Sequence, residues 1–121
     1  MERNSNKKDN EYQIVSNNIG CLGLESIANH KQNSFKDWLI QHEVDLVGLQ
    51  EIGLAQHMLQ KHERVAERFR DYRRKQIRVS TSNNKHESIE KFQWGGTATI
   101  AFDMLANMTC ASGSDESGLG R

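Results

Sequence analysis

The chain reads as an α/β protein on three successive features of its 121 residues. A β-type run from Tyr12 to Gly20 comes first, with Tyr12, Ile14 and Val15 leading into Ser16-Asn17-Asn18-Ile19-Gly20. A helix-like segment from Ser34 to His42 follows, and then the apolar run Val44-Asp45-Leu46-Val47-Gly48-Leu49-Gln50. Strand, loop, helix, strand is the unit from which layered α/β folds are built, and a right-handed crossover makes its two strands parallel. Both strands then end on the same side of the sheet. Asn18 and Glu51 therefore stand at equivalent strand ends, where ligands of such folds collect.

Each element has a local reason. The first ten residues are almost all polar and cannot repay the entropy of ordering, so a loose tail over 1–10 is expected, with one domain over 11–121. The first strand is built of β-branched and aromatic residues and exits through Asn and Gly, which favour turns. Gly20 and Gly23 mark a loop. Ser34 with Asp37 has capping-box spacing ahead of Phe35, Trp38, Leu39 and His42, predicting a helix of about nine residues. Val44 to Gln50 is the second strand. From about Leu54 to Lys75, Met58, Val65, Phe69 and Tyr72 keep to one helical face and predict a long amphipathic helix. Ile77 to Ser80 is a short strand, Thr81 to Lys91 a polar loop, and Thr97 to Phe102 the last strand. Ser112 to Arg121, rich in Gly and Ser, brings no closing element, so the chain looks cut off.

Composition excludes several classes. Sixteen basic and sixteen acidic residues balance, so any basic surface must come from clustering. Between Lys61 and Lys75 there are seven basic residues against three acidic ones. Arg68, Arg73 and Arg74 are the candidates there for contact with a nucleic-acid backbone, against the plainer reading of a solvated helix face laced by pairs such as Glu67 with Arg70. Cys21 and Cys110 have no metal-type spacing and read as free thiols of a reducing compartment. No apolar run is long enough to span a bilayer or serve as a secretory signal, so a soluble intracellular protein without a membrane partner is expected. His42-Glu43, His62-Glu63 and His86-Glu87 begin like HExxH, but none has the second histidine, and no GxSxG elbow occurs.

The remaining chemistry is that of a metal-assisted phosphodiester site. Mg²⁺ (or Mn²⁺) is held by one or two carboxylates and keeps most of its waters, and Glu51 is the best candidate ligand. Asn18 could add a carbonyl oxygen to the ion's outer shell or donate its amide to a phosphate; its plainer reading is a turn asparagine. Trp94 could stack on a base or sugar beside Gly95-Gly96, or could be packed as a lid on the core.

Ser16-Asn17-Asn18-Ile19, Asp45-Leu46-Val47-Gly48-Leu49-Gln50-Glu51, Gly95-Gly96-Thr97-Ala98 and Ser117-Gly118-Leu119-Gly120-Arg121 occur in a suggestive order. In that order the chain resembles the amino-terminal half of the endonuclease/exonuclease/phosphatase superfamily, most nearly the apurinic-type endonuclease domains of non-LTR retrotransposons. The resemblance covers roughly residues 11–121. It implies a two-sheet sandwich with flanking helices, of which this chain supplies the amino-terminal half, and it implies that Asn18 and Glu51 are catalytic and metal-binding. It further implies DNA as substrate, Mg²⁺ as cofactor, no obligate protein partner, and a complete element fused to a reverse transcriptase. The same half-site also serves phosphatase members. Gly20-Cys21 stands where the family commonly continues with Asn-Gly, and the later Asp-x-Asn and closing Asp-His motifs have no counterpart here, so little activity is expected of this chain alone. The alternative is a non-catalytic nucleic-acid-binding remnant using the basic 61–75 segment.

Overall fold

The computed structural model describes residues 11–24, 29–70, 76–83 and 90–109. They form a mixed α/β unit with one four-stranded sheet and three helices. Strand β1 spans Ile14–Asn18, helix α1 His30–Gln41, β2 Leu46–Gln50, α2 Val65–Arg70, β3 Ile77–Ser82, β4 Thr97–Phe102 and α3 Asp103–Met108. The sheet order is β1-β2-β4-β3. β1 and β2 are parallel, with Asn18 opposite Gln50, as the crossover rule requires. β4 runs antiparallel to both β2 and β3, so Gln50 and Ser82 lie on either side of Thr97. The carboxyl ends of β1, β2 and β3 and the amino end of β4 thus share one rim.

Side chains alternate across a strand, and here the two faces differ in kind. One face, with Val47, Leu49, Ala98, Ile100 and Phe102 buried, packs on Phe35 and Leu39 of α1 and Val65 and Phe69 of α2 in a single core. The other carries Ser16, Asn18, Gln50, Thr99 and Arg78, with Ile14 69% exposed. Among the described residues no second sheet covers that open face, so the two-sheet sandwich is not part of the observed architecture.

Three local expectations are corrected. Helix α1 begins four residues ahead of Ser34, because Asn29 caps it: the Asn29 side chain accepts from the Gln32 N–H at 3.0 Å and also binds the Leu22 carbonyl. The long helix predicted over 54–75 is broken into two 3-10 turns, Gln56–Met58 and Lys61–Glu63, before α2. Its breaker is local, since the Glu63 carboxylate binds the Gln60 N–H at 3.0 Å and Arg64 is extended. Broken this way, the chain buries Leu54, Ala55 and Leu59, whereas Met58, on the predicted apolar face, stays 40% exposed. The polar loop predicted from Thr81 begins later, because β3 continues to Ser82. Tyr72, the loop positions 84–89, the tail 1–10 and the final residues from Cys110 lie outside the described residues.

Candidate metal and nucleic-acid site

Pairing of β1 with β2 continues past the strand ends. Ile19 N–H donates to the Gln50 carbonyl at 3.0 Å, Cys21 N–H to Glu51 at 2.7 Å and Leu22 N–H to Ile52 at 2.9 Å. Asn18 and Glu51 are therefore held on neighbouring backbones at the rim, and both are exposed. On the same face the Gln50 amide donates to the Ser16 hydroxyl at 2.8 Å.

The rim also gathers most of the positive-φ positions. Of nine described residues with positive φ, six are here: Gly20, Cys21, Glu51, Gly53, Gly95 and Gly96. Glu51 at φ 54° and Cys21 at φ 72° carry side chains in the left-handed region, which costs about 1–2 kcal/mol per residue and gathers at functional sites. Anything larger than glycine at Gly53 forces a shift: a Cβ there would lie 2.7 Å from Cys21 Sγ and 3.2 Å from its Cα. The glycines let two loops close on each other, since Gly53 N–H donates to the Gly95 carbonyl at 3.0 Å and Ile52 N–H to Gly96 at 3.3 Å.

Sequence reasoning overlooked a further stabilising group. The Lys31 ammonium reaches from the first turn of α1 to the carbonyls of Ile19, Gly20 and Cys21, at 3.1, 2.8 and 3.2 Å. One cation thus organises three consecutive carbonyls of the loop that follows Asn18. Nothing in the spacing of a lysine within a polar stretch announces that role.

Asn18 is a turn asparagine in its geometry: its side-chain oxygen accepts from the Gly20 N–H at 3.1 Å. That bond commits the carbonyl end locally and leaves the amide end to face outward chemistry. Trp94 is not a lid on the core. It is 83% exposed and meets Phe92 edge-on, with ring centroids 5.1 Å apart.

Arg68 is corrected. It is not on a basic surface but 2% exposed, donating from Nε to the Glu63 carbonyl at 2.8 Å, from Nη1 to Gln32 Oε1 at 3.2 Å and from Nη2 to the Leu24 carbonyl at 3.4 Å. Burial lowers its pKa below the usual guanidinium value, an effect that nearby Glu63 partly opposes. A guanidinium enclosed by three acceptors is structural cement and cannot also hold a phosphate. Arg70 pairs with Glu67 at 3.1 Å, the helical ion pair expected of a solvated face. Arg73 and Arg74 lie outside the described residues.

Among the described residues no group of three or more His, Cys, Asp or Glu side chains converges on one point, and the rim carries the Glu51 carboxylate together with the Asn18 and Gln50 amides. This donor set suits a hydrated Mg²⁺ held by a single carboxylate, and it does not suit zinc. Cys21 is a free thiol. No helix among the described residues is long and apolar enough to cross a membrane. No family model, no curated protein and no solved structure matches the chain.

Proposed function

We propose that the chain is the metal-binding half of a Mg²⁺-dependent phosphodiester-cleaving endonuclease domain that acts on DNA. The observation that supports this reading is the junction of β1 and β2, where Asn18 pairs with Gln50, the residue before Glu51, at a strained, glycine-lined rim. Further support comes from Cys21. It stands where the resemblance expects glycine, and it takes φ 72°, a conformation glycine ordinarily supplies. The open sheet face is consistent with the sandwich that the resemblance implies, in which a second sheet covers this one.

The residues fit the cofactor by their chemistry. Glu51 would ligate Mg²⁺ with one carboxylate and leave most of the ion's waters in place. Bound there, the ion would offset charge on the phosphoryl oxygens. Asn18, its carbonyl engaged by Gly20, would donate its amide to a phosphate oxygen, adding no negative charge to repel the substrate. Trp94, exposed at the same rim, would stack on a base or sugar. No residue here is assigned to activate the attacking water, so turnover by this chain alone is expected to be weak.

Affinity for a short DNA duplex, measured by fluorescence anisotropy at fixed ionic strength, tests the reading. Mg²⁺ should tighten binding to the wild-type chain and leave Glu51→Gln unaffected. Binding indifferent to Mg²⁺, or a Mg²⁺ effect that survives in Glu51→Gln, would overturn it.

A further inference from the structure

A second polar feature lies at the same end of the sheet and has no part in the metal reading. Between the 56–66 segment and the end of β3 is a cleft of about 320 Å³, within the lower range of small-ligand sites. Among the described residues its polar lining is Gln56, His57, Arg64, Thr81 and Asn83, none of them a carboxylate.

These groups are biased toward donating hydrogen bonds. Gln56 Oε1 accepts from the Val65 N–H at 3.4 Å, which fixes which end of the amide is oxygen. The Gln56 Nε2 is then a buried donor with no partner, a state that carries a desolvation penalty until something accepts from it. Asn83, only 4% exposed, points its amide nitrogen at His57 Nδ1 at 3.2 Å and at Gln93 Oε1 at 3.3 Å. These contacts hold the Asn83 amide in place, and its donor or acceptor role toward His57 follows the imidazole tautomer. Arg64 adds a guanidinium on an exposed side chain.

We infer that this cleft is a binding site for a phosphate-type oxyanion, with Arg64 supplying charge and the Gln56 amide a hydrogen bond. Arginine is suited to such groups because its planar fork can bind two oxygens at once. β2 and β3 flank β4 and run in the same direction, so the cleft sits about 10 Å across the rim from the end of β2, counting two strand spacings. Free phosphate and the phosphodiester of a nucleic acid share this chemistry.

The test is an NMR titration of the ¹⁵N-labelled chain with sodium phosphate, against sodium chloride at matched ionic strength, followed by a short oligothymidylate. Phosphate should shift the Gln56 side-chain amide and the Thr81 and Val65 backbone amides saturably. Arg64→Gln should weaken that binding about tenfold or more. Gln56→Glu keeps the acceptor for Val65 but puts a carboxylate where the orphan donor was, and should abolish binding while resonances distant from the cleft stay in place. A tighter response to oligothymidylate would identify a nucleic-acid backbone as the source, and a response to phosphate alone a small phosphorylated ligand. Shifts no larger than those from chloride, or shifts unaltered by Arg64→Gln, would overturn the inference and leave water as the partner of Gln56.

Discussion

Two charged residues, Arg68 and Glu51, show how differently this small fold uses charge. Arg68 lies in the interior, with donors satisfied by Glu63, Gln32 and Leu24, on relaxed helical backbone. Glu51 lies at the rim, exposed, on left-handed backbone at φ 54°. The first is enclosed by the partners it holds together, tying the loop before α1, α1 itself and the turn before α2 into one body. The second is held outward at a cost in conformational energy, with neighbours arranged around it by glycines and by Lys31. A charge that stabilises is surrounded. Glu43 and Asp103 share the left-handed backbone but are only partly exposed, so it is strain together with exposure that sets Glu51 apart as accessible from outside the chain.

The sharpest way to break this comparison is to delete each charge. Arg68→Ala removes the donors that the guanidinium gives to the buried Glu63 carbonyl and Gln32 side chain and opens a void, and should cost about 3 kcal/mol or more in urea denaturation. Glu51→Gln should change stability by no more than about 0.5 kcal/mol, as exposed substitutions do. Equal losses would show that the two charges do the same work.

Next in size is the packing that creates the rim. Gly53→Ala meets both an unfavourable φ of 71° and Cys21 Sγ at 2.7 Å, and should cost about 2 kcal/mol or more. Gly95→Ala has the same backbone problem, at φ 80°, but open space around the new methyl, so about 1 kcal/mol is expected. A larger loss at Gly95 than at Gly53 would mean that the two loops do not close as described.

A smaller effect has the opposite sign. Glu51→Gly removes the side-chain penalty of the left-handed backbone and should stabilise the fold by about 0.5 kcal/mol even after glycine's extra unfolded-state entropy. Destabilisation would argue that Glu51 holds the fold together, as Arg68 does.

The buried network also predicts a pH dependence. Glu63 is held below its ordinary value of 4.5, first by hydrogen bonds from Lys91 at 2.8 and 3.0 Å and then by the Gln60 N–H. A carboxylate with a depressed folded pKa contributes stability above its unfolded value and loses it as pH falls through the folded one. The stability gap between wild type and Lys91→Met should therefore be full near neutral pH and close progressively below about pH 4.5. A gap that does not narrow in acid would remove Glu63 from the network.

How much of this was legible in the sequence follows from how local each cause is. β2 and β4 declared themselves by apolar runs with turn residues at their ends, and the adjacency of Asn18 to the end of β2 followed from crossover topology alone. The start of α1 was missed because Asn29 was an equally good cap lying in a polar stretch that read as loop. The 54–75 segment misled because its apolar spacing fits a helix, while the Gln60 and Glu63 pair and the burial of Leu54, Ala55 and Leu59 select two tight turns instead. Arg68 looked like its exposed neighbours because its burial depends on Gln32 and Leu24, 36 and 44 residues away. The Lys31 contacts and helix α3 likewise depend on placement that periodicity does not encode.

Mn²⁺ titrated into the ¹⁵N-labelled chain tests most directly whether the rim is a cation site, because the ion broadens only resonances close to it. Selective loss of the Asn18 side-chain amide and of the Ile19, Glu51 and Ile52 backbone signals, absent in Glu51→Gln, is the predicted result. Uniform broadening, or the same selective pattern in Glu51→Gln, would contradict it.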